Sequence, residues 1–429
     1  MSKRLLLLTT TTGYQTRAFV EAARKLGAEV VFGSDRCHVL DDPWQDGALA
    51  LHFEDAAGSA QIVADAARDT PFDAIVSLGD RPTATAAHSA RALAIPFHPP
   101  EAAELCRDKY LSRARLKTSG MLVPDFHRFS LDSEAEEAAR TVAGQIAFPC
   151  VLKPRALSGS RGVIRADNLT EFAAAFERLR ALLESPEIRV MRDTANDDIL
   201  VESYVEGTEI AVEGLVDRGR LRVLAIFDKP DPLAGPIFEE AIYVTPSRLP
   251  AARQSAAIQT LDKAARALGL HHGPVHAEFR LNSRGVWMLE VAARPIGGLC
   301  SRALRFCAPA RSAQDGWMSL EELLIRLALG ENVEQVRREA GAAGVMMIPV
   351  PEGGILQGVH GTERAAQIPG VEEILITAKP DQKLVPLPEG CSYPGFIIGR
   401  GPTPEFVEQA LRQAHRELRF IVTPALPVV

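Results

Sequence analysis

A chain of 429 residues is long enough for about three domains, at one per roughly 150 residues. Hydrophobic residues make up 46% and charged residues 24%, the balance of an ordinary folded protein, which excludes wholesale disorder or a fibrous class. A net charge of −7 argues against a broad nucleic-acid-binding face, which needs clustered Lys and Arg, while leaving room for a local anion pocket.

The N-terminus reads MSKRLLLLTTTT. Four leucines fall short of the roughly 7–15 apolar residues of a secretory signal, so the segment reads as a strand. No run approaches the roughly 20 apolar residues of a membrane span, and a cytoplasmic protein without a membrane partner is expected. The cysteines (Cys37, Cys106, Cys150, Cys300, Cys307 and Cys391) lack CxxC spacing, so reduced, mostly packed thiols are expected instead of a zinc knuckle or a disulfide framework. Strand RLLLL, a helix over about 15–26, strand AEVVFG, a helix near 60–68, strand FDAIVSL and a helix over about 82–93 follow in turn. Such alternation predicts a doubly wound, Rossmann-like parallel α/β domain over residues 1–108. Its first turn, TTTTGYQT, lacks the GxGxxG that lets backbone approach a pyrophosphate, so a nicotinamide cofactor is not expected.

The segment PPEAAELCRDKYLSRARLKTSG reads as a helical connector into a second domain over 109–335, with a lid at about 120–200. Strand FPCVLKP leads into the loop RALSGSRGV and a helix over 171–183 whose Phe172, Phe176, Leu179 and Leu183 recur at three-to-four spacing after Thr170 as cap. Strands DILVES, EIAVEGLVD and RLRVLAIFD follow, then a helix over about 251–268 closed by Gly269. After a helix near 320–329, a small α+β unit is expected over 340–429, with GVMMIPV, VEEILIT and a final helix opened by Thr403 and Pro404. Phe406, Val407, Ala410, Leu411, Ala414 and Leu418 form its apolar stripe.

The chemistry is most legible at PVHAEFRL and VWMLEVAARP, joined by a tight turn from Asn282 to Gly285. If this hairpin folds symmetrically about Arg284, Glu278 and Glu290 face each other. Cross-strand partners have Cβ atoms roughly 5 Å apart, and like charges so placed destabilise a sheet, so the pair calls for a cation. Magnesium, held by carboxylates together with substrate phosphates, is the natural candidate, and with it a nucleotide. Alternation puts His276, Glu278 and Arg280 on one strand face. His271, His272 and His276 have no further Cys or His at finger spacing, which argues against zinc, and His276 is taken to line a substrate pocket.

Upstream, Lys153 ends a strand before SGSRG, where Gly159 and Gly162 let backbone N–H groups approach phosphate; a mobile surface loop would look the same. GxxxxGK[ST] is absent, which excludes the P-loop class. Lys109 reads as a second phosphate cation or as a solvated helical lysine. In ILVESYVEGTEI, the backbone from Val201 to Val205 offers hydrogen bonds to a purine, and a carboxylate suits ribose hydroxyls. Arg294 fits either a catalytic role or a structural ion pair. The proline-rich DKPDPLAGPIFEEAIYVTPSRL reads as a substrate-contacting loop, in which Glu239 or Glu240 would receive an amino group, or as a charged surface turn. No GxSxG elbow or Cys–His pair suggests a protein nucleophile.

In order and spacing, FPCVLKP, SGSRGV, ILVESYVEGTE, HAEFRL and MLEVAARPIGG resemble the ATP-grasp superfamily of carboxylate-amine ligases over about residues 105–330. SLGDRPTATAA, EVAARPIGG and SYPGFIIGRG are most similar to the bacterial L-amino acid ligases. The resemblance implies an ATP-grasp fold and ATP-dependent formation of an amide through an acyl phosphate, giving ADP and phosphate. It assigns Lys109 and Lys153 to ATP phosphates or the adenine, and Ser158, Gly159, Ser160 and Gly162 to a loop closing over the triphosphate. Glu202 and the backbone through Val205 would hold adenine, and Glu209 the ribose. Glu278 and Glu290 would hold two Mg²⁺ ions, with Mn²⁺ as a substitute, and Arg294 would stabilise charge as an amine attacks. Many members carry Asn where this chain has Ala292, which leaves the second ion to Glu290, phosphates and water. The rival readings are an ATP-grasp enzyme activating another carboxylate or bicarbonate, and a catalytically silent ATP-binding regulator. The partners are small-molecule carboxylates and amines, with a homodimer as the assembly to test because dimers are the commonest closed form.

Overall fold

The computed structural model describes residues 2–10, 15–35, 48–307 and 316–424. The first turn at 11–14 and Cys37 therefore lie outside the described residues. Four parallel strands, β1 (Lys3–Thr9), β2 (Ala28–Ser34), β3 (Leu49–Ala50) and β4 (Ala74–Leu78), form a sheet in the order β3-β2-β1-β4. They alternate with α1 (Thr16–Lys25), α2 (Ala56–Ala66) and α3 (Asp80–Ala92). The leucine run of β1 is buried on both faces: Leu6 and Leu8 pack with Val63 and Ala86, while Leu5 and Leu7 pack with Phe19 and with Leu324 of a distant helix. Continuous apolarity is what a strand covered on both sides requires, and each such leucine contributes roughly 1.5–3 kcal/mol.

Helices α4 (Pro100–Arg107) and α5 (Lys109–Thr118) connect to a lid. The lid comprises β5 (Phe126–Ser130), α6 (Ala135–Ala143), β6 (Cys150–Pro154), β7 (Ile164–Ala166), α7 (Leu169–Glu184), the single turn α8 (Pro186–Arg189) and β8 (Asp198–Ser203), with strand order β5-β8-β6-β7. It has its own core, in which Phe172, Phe176, Leu179 and Leu183 of α7 meet Phe129, Leu152 and Val201. The cap of α7 is Asn168, not Thr170: the helix begins at Leu169, and Asn168 Oδ1 accepts from the Glu171 amide at 3.0 Å. Both residues are acceptable caps by type, and the earlier one wins because Glu171 returns a bond to the Asp167 amide.

From the lid the chain enters β9 (Thr208–Asp217), β10 (Arg220–Asp228), β11 (Ile242–Thr245), α9 (Ala251–Leu268), β12 (Gly273–Asn282) and β13 (Gly285–Ala292). Gly269 ends α9 with φ 81°, the left-handed conformation in which glycine pays no Cβ penalty. A small sheet of β14 (Arg305–Cys307), β15 (Met318–Ser319) and β16 (Arg337–Arg338) flanks α10 (Leu320–Ala328). The C-terminal residues supply β17 (Ala342–Met347), β18 (Gly354–His360), α11 (Thr362–Ala366), β19 (Val371–Ile376), β20 (Lys383–Leu384), β21 (Gly395–Gly401), α12 (Pro404–Glu417) and β22 (Arg419–Thr423). Three of these strands complete an eight-stranded sheet, β13-β12-β9-β10-β11-β17-β21-β19, and three make a separate sheet, β20-β18-β22. Val407, Ala410, Leu411 and Ala414 of the α12 stripe are buried, whereas Phe406 is exposed. One core joins the N-terminal sheet to the eight-stranded sheet through Leu5, Phe227, Tyr243, Ile296, Leu320 and Phe396. That frame carries the site. Among the described residues no helix is long and apolar enough to cross a membrane.

Candidate active site

The hairpin places Glu278 opposite Glu290 by a route the turn alone would not give. Asn282 pairs with Gly285 across a two-residue loop, so Phe279 meets Met288, and an unbulged ladder would have set Glu278 opposite Leu289. A bulge between Glu278 and Phe279 advances the register by one, giving Glu278 opposite Glu290, and His276 opposite Ala292. Arg113, fully buried, fixes the bulge by donating to the Leu289 carbonyl.

Both glutamates line a cavity of about 190 Å³ between the lid, the eight-stranded sheet and the segment after β13. Lys109, Lys153, Ser158, Gly159, Ser160, Glu202, Val205, Glu209, Glu240, His276 and Arg294 line the same cavity. Thirteen residues expected from the sequence thus meet at one cavity. Two expected residues stand apart. Glu239 lines a smaller neighbouring cavity, and the Gly162 amide donates to the Pro388 carbonyl at 2.8 Å. Gly162 is required for shape instead: its φ is +73°, and a Cβ there would lie 2.8 Å from Pro154 and Leu179.

Charge in the site is partitioned by partner. Glu202 is buried between Arg113, at 2.7 Å, and Lys153. Burial would raise its pKa, but Arg113 and Lys153 hold it below the usual carboxylate range. Glu209, Glu240 and Glu278 bring carboxylate oxygens within 4.8 Å of one another. The cation among them is Lys229, whose Nζ lies 2.9 Å from each. Burial opposes its charge, yet Glu240, Glu278 and Glu209 hold it well above the lysine range. Glu240 is pushed up to about 7 by burial and by Glu278, and accepts from the Tyr243 hydroxyl. His276 sits between Glu213 at 3.1 Å and Glu278 at 3.6 Å. Against burial, those carboxylates raise it to about 9. Arg294 Nε donates to Asp80 at 2.8 Å, at the start of α3. Arg280 donates to Glu209 at 2.8 Å and to the Val205 carbonyl at 2.7 Å.

Glu290 differs from all of these. Its nearest cation is Lys109, at 3.6 Å, and its side chain keeps 23% of its surface exposed. The donor set suits a hard divalent ion: two carboxylates face each other across one hairpin at a cavity wall, with oxygen ligands only. Ala292 adds no donor. Gly159, Ser160 and Gly162 all have positive φ, and Lys109 Nζ donates to the Leu157 carbonyl at 2.7 Å beside their loop.

Sequence reasoning missed Lys229, Asp80, Arg113, Glu213 and Tyr243. Lys229 and Tyr243 lie inside the proline-rich segment that local composition marked, and Asp80 inside SLGDRPTATAA, which the family resemblance marked; neither gave the partners. Arg113 gave no signal, because a helical arginine in a basic connector reads as solvated.

The chain also matches known families. Residues 20–97 match the ATP-grasp N-terminal domain family, 146–303 the ATP-grasp domain family, and 346–423 the L-amino acid ligase C-terminal domain 2 family. The chain is 25% identical over 427 residues to the uncharacterized protein y4rH of Sinorhizobium fredii, covering 98% of this chain and 84% of that one. It is 24% identical to dapdiamide A synthase of Enterobacter agglomerans, over 72% of this chain and 70% of that one. The structure of an L-amino acid ligase from Bacillus licheniformis superimposes with a TM-score of 0.76 at 26% identity, over 98% of this chain and 99% of that one. With its ordered motifs gathered on one cavity and its three matched domains in sequence, the chain belongs to the ATP-grasp superfamily of carboxylate-amine ligases, alongside the L-amino acid ligases.

Proposed function

We propose that the protein joins the carboxylate of one amino acid to the amine of another through an acyl phosphate. The observation that carries this reading is the Glu278–Glu290 pair facing one cavity with Lys109, Lys153 and the phosphate loop. A carboxylate oxygen attacks the terminal phosphorus of ATP and the bond to ADP breaks. The amine nitrogen then attacks the acyl carbon, phosphate leaves, and the nitrogen gives up its extra proton. Positioning and electrostatics do most of such work.

In this reading Lys109, Lys153 and residues 158–160 bind the phosphates, and the Val205 backbone with Glu202 frames the adenine. Glu209 faces the ribose from beneath its bonds to Arg280 and Lys229. Glu278 and Glu290 would hold Mg²⁺, as two ions, or Mn²⁺, which would supply neutralisation of phosphate charge. Arg294, aimed by Asp80, faces the oxygen that gains charge when the amine attacks. Glu240 accepts a hydrogen bond from a substrate amino group, and His276 holds Glu278 in place beside the substrate. Incubation with ATP, Mg²⁺ and pairs from an amino-acid panel tests the assignment. Phosphate release only when carboxylate and amine are both present, matched by a product of dipeptide mass, is the expected result. Release with bicarbonate alone, or with a carboxylate and no amide product, contradicts it.

A further inference from the structure

The phosphate loop is anchored from outside the lid. Gly162 donates its amide to the Pro388 carbonyl at 2.8 Å, and Arg161 Nε donates to the Glu389 carbonyl at 2.8 Å. Arg161 is buried although it carries a charge, its other nitrogens held by Glu187 at 3.0 and 3.1 Å. Arg178 of α7 forks onto the Glu389 carboxylate at 2.5 and 2.9 Å. Gly159 packs against the Cys391 carbonyl, 4.0 Å from where its Cβ would stand. The segment 386–391 belongs to the C-terminal unit, between β20 and β21, and contributes no ligand-facing carboxylate to the main cavity.

A lid with its own core, joined to the rest by short links, can swing as a body. The contacts above span two bodies, and they fall on the loop that closes over the phosphates. We propose that Glu389 is a positioning residue for the ligase reaction. With Pro388 it holds residues 158–162 shut over the cavity, so that the activated carboxyl meets the amine before it meets water. The consequence for product rests on the proposed acyl-phosphate chemistry. Water reaching that intermediate would add its oxygen to the acyl carbon, break the carbon–oxygen bond to phosphate, and release carboxylate, inorganic phosphate and a proton in place of the amide.

Two readouts on the 429-residue protein test this. The first is the rate of tryptic cleavage after Arg161, measured with Mg²⁺ and ADP and needing no turnover. The second is the ratio of amide formed to ADP formed, with an amino-acid pair the native protein joins. In E389R, repulsion of Arg178 should speed cleavage after Arg161 by roughly fivefold, the upper range for a surface ion pair, and lower the amide-to-ADP ratio. R178Q, which leaves the 386–391 segment intact, should shift both in the same direction, and the charge swap R178E/E389R should restore both toward native values. Native cleavage and native ratio in E389R and R178Q overturn the proposal, as does a swap that fails to recover either. Should the native protein form no amide from any pair, the ligase reading fails, and the cleavage rates still decide whether Glu389 holds the loop.

Discussion

Glu202 and Glu290 are carboxylates on the walls of one cavity, and their surroundings are opposite. Glu202 is almost wholly buried and doubly paired, with Arg113 at 2.7 Å and Lys153 against its other oxygen. Glu290 keeps 23% of its side chain exposed and reaches one lysine at 3.6 Å. Glu202 holds Arg113 and Lys153 in position, whereas Glu290 has acceptor capacity left at the cavity wall; Glu278, with Lys229 at 2.9 Å and His276 at 3.6 Å, stands between the two. The same contrast separates Glu209, tied to Lys229 and Arg280, from Glu290.

The contrast breaks or holds by substitution. The largest effect on stability is expected for E202Q, because it strands Arg113 as a buried, underpaired cation; loss of one partner of a buried pair costs about 3–5 kcal/mol, and urea unfolding measures it. E290Q should leave unfolding unchanged and lower turnover by roughly 10²–10³-fold or more, the scale of losing one preorganised electrostatic contact. Equal destabilisation by the two variants would erase the distinction.

A neutral group outside the site sharpens the same principle. His98 is buried, with Nε2 donating to the Pro274 carbonyl at 2.8 Å and Nδ1 accepting from the His271 amide at 3.1 Å. Burial pushes its pKa down to about 4, from 6.5 in the unfolded chain. The unfolded state therefore binds more protons between these values, and stability falls as pH drops from about 6.5 toward 4. The full difference is about 3 kcal/mol. H98Q should flatten that part of the pH dependence in paired unfolding curves, and an unchanged slope would show that His98 is not buried neutral. The smallest effect is expected from D80N. Freed of its charge partner, Arg294 should lose aim, lowering kcat by about tenfold, on the scale of a partly retained hydrogen bond, with the ATP KM unchanged.

Much of this was legible in the chain. Alternating strands and helices gave the parallel N-terminal sheet, and the period-two face of His276, Glu278 and Arg280 gave one wall of the cavity. The opposition of Glu278 and Glu290 was reached from an assumed symmetry about Arg284, whereas the structure reaches it with a two-residue turn and a compensating bulge; a bulge leaves no mark in hydrophobic alternation. The Lys229 trio was hidden for a different reason. Its members come from β9, β12 and an irregular segment, and long-range side-chain convergence has no local period to read. The completion of the central sheet by β17, β21 and β19 is long-range in the same sense, as is the docking of residues 386–391 on the phosphate loop.

The central claim is that Glu278 and Glu290 hold a divalent cation against nucleotide phosphates. Calorimetric titration of ADP into the native protein and into E290Q, each with and without Mg²⁺, tests it most directly. The account predicts that Mg²⁺ tightens ADP binding to the native protein and has little effect on E290Q; the same Mg²⁺ enhancement in both proteins would contradict it.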